Sequence, residues 1–399
     1  MEAHQRSGFQ IEGNKINISI IGGGIFVEEF LKLARQQSFI EDIHLYSESS
    51  LETDPPFFTE LSYKRIAQLT GFDGSYKSIR LKTYSTIEEW ADVSALNSKV
   101  IYFASGPHIK NYKDGDRNSN RINAFNRMLF ERSYPKIQRS AVFLRKAIDR
   151  LMNSQKGLPD VKKIDYNKKI IVNESNPVGA NSFILYMFLG GNPNRITSFD
   201  CNGLRFAKLI CNRLNMLGHG KRLGLEKITL EDVEECPVIG EHHYPIPLLE
   251  DFKLRTRDNQ IVGLEIVAPN FLTAAYKTGL QKELKSIAVQ TMIACHKLGV
   301  GYIEAPEVAM RGLKSVVYDQ KDPLVLSYSW FRDTPMLMPC EFNRERMLYE
   351  PSTKIIENNG RSKARKWYEK LGEMQKKLVE NYFSYPDNKK IERMIANGS

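Results

Sequence analysis

Long hydrophobic runs are absent from this sequence of 399 residues. No apolar stretch approaches the ~20 residues that a membrane helix needs, and the opening segment MEAHQRSGFQIEGNK lacks the apolar centre of a signal peptide. The five cysteines are scattered without CxxC spacing, which argues against a disulfide framework and for reduced thiols in a cytoplasm. These absences predict a protein of the cytoplasm with reduced thiols, no bound metal and no membrane partner.

Blocks of like charge are also scarce, although the net charge is +10. Basic residues are not concentrated in a dense stretch with interleaved aromatics, so we expect a Lys-rich solvated surface and no nucleic-acid partner. Internal repeats and low-complexity tracts are missing as well. The share of hydrophobic residues, 42%, and of charged residues, 26%, is ordinary for a globular protein of two domains or one large α/β unit.

The first half of the chain alternates β-branched runs with helical patterns. This alternation predicts a parallel sheet with helical crossovers. The expected strands are 15–21, 43–46, 99–104 and 169–172, and the expected helices are 26–36 and 121–152.

The pattern changes near residue 180. We expect helices at 181–189, 203–217 and 270–298, a short strand at 196–199, antiparallel strands at 324–331 and 335–339, and an amphipathic helix at 361–383. The fold class predicted is α/β, with residues 1–178 as a Rossmann-type dinucleotide-binding domain. Residues 179–399 would form an α+β substrate or catalytic domain.

A glycine turn, Gly22-Gly23-Gly24, separates the first strand from the first helix. Such a turn exposes backbone N–H groups at a helix N-terminus and can bind the pyrophosphate of a dinucleotide, although it can also be purely structural. Gly22 and Gly24 match the first two glycines of GxGxxG, and Val27 replaces the third. Ser47 stands where an acid usually binds the ribose of NAD, so NAD or NADP is expected, and Gly106 after the strand at 99–104 completes the predicted cofactor site.

Three ordered segments resemble the lactate/malate dehydrogenase family. The first is Arg121–Arg127 (RINAFNR), which resembles the family's mobile-loop segment. The second is Ser175–Val178 (SNPV) with Gly191–Ile196 (GNPNRI), which resembles the family's SNPVD and GFPKNRVIG. The third is Gly240–His242 (GEH), which resembles the segment with the catalytic histidine. The resemblance spans roughly residues 15–385, with extra residues near 107–120, 153–167 and 220–235.

The resemblance implies roles for four residues. His242 would be the acid/base, Arg205 would bind the substrate carboxylate, and Arg121 would close over the developing charge. Asn176 would hold the nicotinamide ribose or the substrate. Each residue also has a structural interpretation. His242 could be a core histidine, and Arg205 could form a surface ion pair. Arg121 could lie at a solvated helix start, and Asn176 could belong to a turn at the end of a strand.

Two departures from the family bear on catalysis. The aspartate that orients the histidine is expected three residues before Arg205, where this chain has Asn202, although Asp200 lies two residues earlier. If Asp200 contacts His242, we expect measurable activity and little effect of Asn202→Asp; if only Asn202 does, activity should be weak and Asn202→Asp should raise it. Glu304 is the other departure, since an acid is unusual in a site that binds an acid.

Three functions therefore remain open. The favoured one is NAD(P)-dependent interconversion of a 2-hydroxy acid and a 2-oxo acid by a homo-oligomer, with a small anionic acid as its substrate. A catalytically weak or inactive relative that acts as a binding or assembly module is the alternative. A relative of NAD- and metal-dependent glycosidases, with Cys201 and a nearby histidine as ligands, is the third. Substrate identity depends on the segment 107–120, in which Lys110, Lys113 and Arg117 are candidates for the residue that faces the substrate side chain.

Overall fold

The structure is a computed structural model that describes residues 15–47, 79–105, 119–159, 164–242, 244–298, 304–318, 322–331 and 334–352, with residues 372, 373 and 376. The strands within these ranges are β1 (Ile16–Ile21), β2 (Ile40–Tyr46), β3 (Arg80–Thr83), β4 (Val100–Phe103), β5 (Ile170–Asn173), β6 (Ile196–Thr197), β7 (Phe199–Asp200), β8 (Val233–Glu235), β9 (Val238–Glu241), β10 (Tyr244–Pro247), β11 (Lys253–Arg255), β12 (Ile261–Gly263), β13 (Leu326–Phe331), β14 (Thr334–Met338), β15 (Cys340–Asn343) and β16 (Leu348–Pro351). The helices are α1 (Ile25–Ala34), α2 (Ile87–Asn97), α3 (Ser119–Ser154), α4 (Val178–Leu189), α5 (Asn202–Met216), α6 (Leu264–Val267), α7 (Ala274–Leu298) and α8 (Glu304–Tyr318).

The first six strands form one parallel sheet in the order β3-β2-β1-β4-β5-β6. This is the strand order of a dinucleotide-binding Rossmann sheet, so the predicted fold class is confirmed. Strands β2 and β3 lie on one side of β1, and β4, β5 and β6 lie on the other, so the strand order reverses between β1 and β4. Sheets of this kind bind ligands at the carboxyl ends of the two strands where the order reverses. Because β6 lies at Ile196–Thr197, the sheet continues beyond residue 178, and the boundary at 178 stays a prediction.

Side chains alternate between the two faces of this sheet, as the two-residue period of a strand requires. On one face Ile18, Ile20 and Tyr102 join a core that includes Phe30 of α1. On the other face Ile101, Phe103 and Ile171 pack with side chains of α2, α3 and α4, among them the fully buried Trp90. Helices therefore cover both faces, which explains why the strands read as continuous apolar runs.

A second, antiparallel sheet has the order β10-β9-β14-β13-β7. Its edge strand β7 begins two residues after β6, so the chain passes directly from the parallel sheet into the antiparallel one. Two smaller sheets have the orders β12-β11-β8 and β15-β16. The junction between β7 and α5 carries Asp200, Asn202 and Arg205, three of the residues that the sequence singles out for chemistry.

Most of the expected elements occur with shifted ends. The strands expected at 324–331 and 335–339 pair antiparallel as β13 and β14, and the run 196–199 is divided between β6 and β7. Strand β3 and helices α2 and α8 were not anticipated. The expected helix at 361–383 lies outside the described residues except for three positions. Among the described residues, no helix is both long and apolar enough to cross a membrane.

Candidate functional site

The glycine turn joins β1 to α1 at the carboxyl edge of the parallel sheet. Gly22 has a φ of 134°, which favours glycine, and a Cβ at this position would lie 2.4 Å from the carbonyl oxygen of Ala104. Gly24 is the residue before α1, is exposed, and has no atom within 4 Å of an added Cβ. The turn thus holds β1 tightly against the end of β4 while it leaves the helix N-terminus open.

This open N-terminus suits an anion. Gly24, the residue before α1, has no side chain that could cap the first turn, and the N-terminal end of the helix dipole lies beside the end of β1. Val27, which replaces the third glycine of the motif, is fully buried in the core beneath α1. The substitution is therefore accommodated by packing against the sheet and leaves the turn itself unobstructed.

Asn176 follows the next strand of the sheet, β5. Its carbonyl oxygen accepts a hydrogen bond from the Ser133 hydroxyl, 3.2 Å, which ties the strand end to α3. Its side-chain Oδ1 is buried and has no hydrogen-bond partner in the described part of the chain. A buried amide oxygen without a partner is costly, so a ligand that donates a hydrogen bond fits this position.

The other cofactor positions are only partly defined. Ser47 directly follows β2, at the same edge of the sheet, as expected for a residue near the ribose. Gly106 lies outside the described residues. Arg121 lies in the first turn of α3. Its side chain is outside the described part of the structure, so its role stays a prediction.

Asp200 is the last residue of β7 and sits immediately before α5. One carboxylate oxygen, Oδ1, accepts the backbone N–H of Asn202 at 2.7 Å, and the other, Oδ2, lies 2.7 Å from Nδ1 of His242. A carboxylate at a helix N-terminus is stabilised by the helix dipole. Asp200, and not Asn202, is therefore the residue in contact with the imidazole.

His242 is held from three sides. Its ring contacts Asp200, its backbone N–H donates to the hydroxyl of Tyr328 at 2.7 Å, and its carbonyl accepts from Nδ2 of Asn202 at 2.9 Å. The side chain retains 14% exposure, whereas that of Asp200 retains 1%. If Nδ1–H donates to Asp200, Nε2 is the ring atom that would exchange a proton with a ligand.

The pKa values follow from this arrangement. Burial opposes ionisation of Asp200, but His242, the Asn202 N–H and nearby Arg205 outweigh it, so the pKa of Asp200 is lowered. The ionised carboxylate can then stabilise a protonated imidazole, as in other relays of an acid and a histidine. The site has the elements of a general acid/base.

Arg205 projects from the first turns of α5, with a side chain only 1% exposed. Its Nε donates to Oε2 of Glu304 at 2.7 Å, and Lys208 lies 3.3 Å from Oε1 of the same carboxylate. Burial opposes ionisation of Glu304, but the two cations outweigh it and lower its pKa. The guanidinium expected to bind a substrate carboxylate thus already binds a carboxylate of the chain itself.

Three residues near the site were not found by sequence reasoning. Lys208 lies three residues after Arg205 on α5, a spacing that could have revealed the shared face. Tyr328 and Glu174 offered no such signal, because their contacts depend on how the two sheets meet. Burial raises the pKa of Glu174 well above its usual value, and its Oε1 accepts the backbone N–H of Phe199 at 3.2 Å.

Within the described residues, one set of side chains has the spacing of a metal site. Asp200, Cys201 and His242 each offer a ligand atom, and these atoms all lie within 4.8 Å of one another. Burial raises the pKa of Cys201 to about 12, so its thiol keeps its proton near neutral pH.

Comparisons with known proteins agree with this architecture. The chain is similar to the malate dehydrogenase of Cryptosporidium parvum, with 14% identity, a TM-score of 0.61 and coverage of 93% of this chain and 100% of that one. It is also similar to the malate dehydrogenase of Picrophilus torridus, with 16% identity, a TM-score of 0.61 and coverage of 93% and 99%. A third similar structure is the lactate dehydrogenase of Eimeria maxima with NADH and oxamate, with 12% identity, a TM-score of 0.58 and coverage of 96% of both chains.

These likenesses establish the fold. The chain has the fold of the lactate and malate dehydrogenases over more than nine-tenths of its length. No protein-family model and no curated protein matches the sequence. The fold-level part of the resemblance predicted from the motifs is therefore confirmed, and the activity has to be argued from the site.

Proposed function

We propose that the protein is an NAD(P)-dependent oxidoreductase of the cytoplasm that interconverts a 2-hydroxy acid and a 2-oxo acid. The observation that carries this proposal is the 2.7 Å contact between Asp200 Oδ2 and His242 Nδ1. A buried, ionised carboxylate at Nδ1 orients the imidazole and compensates the charge that the ring acquires when it takes a proton from an alcohol oxygen. The similar solved structures are dehydrogenases, and one of them holds NADH and oxamate.

The proposed cofactor site lies at the carboxyl edge of the parallel sheet. Gly22, Gly24, Ser47 and Gly106 would hold the dinucleotide, with its pyrophosphate at the open N-terminus of α1. The unpartnered Oδ1 of Asn176 would accept a hydrogen bond from the nicotinamide ribose or from the substrate. A bound nicotinamide supplies the acceptor or donor of a hydride.

The proposed chemistry at the substrate uses three side chains. In the oxidative direction His242 accepts the hydroxyl proton as the hydride leaves C2, and Asp200 stabilises the imidazolium that forms. In the reverse direction His242 returns the proton to the carbonyl oxygen. Arg205 contributes positive charge for the substrate carboxylate, and Arg121 at the start of α3 would close over the reacting oxygen.

The roles of Asn202 and of the assembly complete the proposal. Asn202 positions His242 through its backbone carbonyl and does not act on the ring. Self-association is proposed from the likeness to dehydrogenases alone, and a monomeric mass by light scattering would contradict it.

The experiment is a screen of NADH and NADPH oxidation with a panel of 2-oxo acids. His242→Gln and Asp200→Asn should each lower kcat by about 10²–10⁴, because they remove the proton carrier or the charge that stabilises it. His219→Gln is the matched control, since His219 lies on a short helical turn after α5 and has no part in the site. Equal turnover in the wild type and His242→Gln would defeat the proposal.

An inactive binding protein of the same fold is the second candidate. The observation that favours it is the ion pair of Arg205 with Glu304, which engages the arginine expected for the substrate. Binding of NADH without turnover of any 2-oxo acid would support this alternative.

A further inference from the structure

The pairing of Arg205 with Glu304 joins two different parts of the fold. Arg205 lies on α5, directly after the strand that carries Asp200, whereas Glu304 is the first residue of α8. The two residues are 99 positions apart in sequence, and their side chains meet at 2.7 Å. We infer that Glu304 is a built-in carboxylate that competes with the acid substrate for Arg205 and so sets the charge selectivity of the site.

This inference rests on the proposed function and deepens it. The guanidinium of Arg205, which would bind the substrate carboxylate, already donates from Nε to a carboxylate oxygen of Glu304. Lys208 holds the other oxygen of Glu304, so the carboxylate lies between two cations. The charge of the three side chains is then +1 instead of +2, and a substrate carboxylate gains less than it would from an unneutralised pair.

The helix that carries Glu304 is fixed against the site. A Cβ at Gly312 of α8 would lie 2.4 Å from the ring of Phe199 in β7, so the helix passes the strand at the distance that only glycine permits. Arg311 of the same helix pairs with Asp322 through both carboxylate oxygens, at 2.7 and 2.9 Å. Glu304 is therefore positioned by packing and is not a side chain on a solvated loop.

Burial makes the competition consequential. The Arg205 side chain is 1% exposed and that of Glu304 is 23% exposed, so water screens their attraction only in part. A substrate carboxylate must displace Glu304 or share the guanidinium with it. A carboxylate group on a 2-oxo compound should therefore add less to its affinity for this site than it would for a site whose arginine has no carboxylate partner.

The test compares two probes in calorimetry, with and without NADH: oxamate, which carries a carboxylate, and oxamide, its neutral analogue. In the wild type the two dissociation constants should differ by less than about tenfold, because the carboxylate gains little. Glu304→Gln should tighten oxamate by about ten- to hundredfold, the range of a charge-assisted hydrogen bond, and leave oxamide unchanged. Addition of Arg205→Gln to that variant should abolish the gain.

Glu307→Gln is the matched control. It removes the same charge from the first turn of the same helix, at a residue outside the Arg205 cluster, and should leave both dissociation constants unchanged. If Glu304→Gln does not fold, the wild-type ratio decides alone: a preference for oxamate of a hundredfold or more would overturn the inference. An oxamate affinity that Glu304→Gln leaves unchanged would also overturn it.

The outcomes separate this inference from the proposed function. A gain of oxamate binding in Glu304→Gln without turnover of any 2-oxo acid would support the competition and defeat the enzyme. Turnover by the wild type with no effect of Glu304→Gln on oxamate would support the enzyme and defeat the competition.

Discussion

At the scale of single residues, Asn202 stands where the family resemblance in the sequence predicts an aspartate, and its side chain makes a contact of a different kind. Its side chain is fully buried, and its Nδ2 donates to the carbonyl oxygen of His242 at 2.9 Å. The amide therefore holds the loop of His242, while Asp200 supplies the negative charge to the ring. The contact with the imidazole that the family resemblance assigns to position 202 is made here by Asp200.

This arrangement predicts the effect of Asn202→Asp. A carboxylate at this position would face the His242 carbonyl and lie next to the buried Asp200, so it loses a hydrogen bond and adds a like charge. We expect the free energy of unfolding to fall by about 1–3 kcal/mol, and we expect no gain in turnover. Urea denaturation and steady-state kinetics measure the two effects.

Asn153→Asp is the control for that change, because Asn153 is exposed near the end of α3. Its stability should stay within about 0.5 kcal/mol of the wild type. Higher turnover in Asn202→Asp would mean that Asp200 does not serve the ring and that the expected aspartate was simply missing.

The sequence could not decide between Asp200 and Asn202 for a physical reason. The alternative depends on where β7 ends and α5 begins, and a shift of one residue at a strand end reverses which way a side chain points. Periodicity does identify Asn202 and Arg205 as members of one helical face, three residues apart. It does not reveal that Glu304, on another helix, lies against Arg205.

At the scale of elements, the turn between β1 and α1 is the part that the sequence defined best. A β-branched strand, a glycine turn and an amphipathic pattern are local signals, and α1 begins at Ile25 as they require. By contrast, β3 is a largely exposed segment of four residues, RLKT, without the alternation of apolar and polar residues that indicates a strand. It becomes a strand because it pairs with β2, which is a tertiary cause.

The two glycines of this turn should respond differently to the same substitution. Gly22→Ala places a methyl group against the Ala104 carbonyl at a positive φ, and should cost about 2–4 kcal/mol of stability. Gly24→Ala meets no protein atom and should keep the wild-type Tm. Because its methyl group projects where a pyrophosphate would approach the backbone, it should weaken NADH binding by about tenfold.

Thermal unfolding and NADH fluorescence titration measure this pair. Each variant serves as the control for the other, since the same methyl group is added two residues apart. An unchanged Tm in Gly22→Ala would contradict the close approach of β1 to β4. Unchanged NADH affinity in Gly24→Ala would mean that the turn is structural and binds no dinucleotide.

At the scale of the whole molecule, the parallel sheet carries a buried histidine far along the chain from the proposed catalytic one. His44 lies in β2, is 1% exposed and contacts the Tyr84 hydroxyl through Nδ1 at 2.7 Å. Burial and the nearby Lys82 lower its pKa to about 4, while Asp42 acts in the opposite direction. The folded protein therefore keeps this ring neutral at a pH where an unfolded chain would protonate it.

The sign of the effect on stability follows from this difference. Above pH 6.5, the ordinary pKa, neither state protonates His44 and it contributes nothing to the pH dependence. As the pH falls below that value, the unfolded state gains a proton that the folded state refuses, and the free energy of unfolding decreases until the folded pKa of about 4 is reached. By pH 5 this loss should amount to about 2 kcal/mol.

Urea denaturation of the wild type and of His44→Asn at pH 7.5, 6 and 5 tests this expectation. The variant lacks the titrating ring, so its free energy of unfolding should decline by about 2 kcal/mol less than that of the wild type over this range. Burial opposes ionisation of Asp42, but Lys82 and Arg80 outweigh it and lower the pKa of Asp42, so this neighbouring carboxylate stays ionised in the window. Burial and Arg222 also lower the pKa of His219, so His219→Gln should decline slightly less than the wild type, and less of the decline should be lost than in His44→Asn. Parallel curves for His44→Asn and the wild type would mean that the fold leaves the pKa of His44 at its ordinary value.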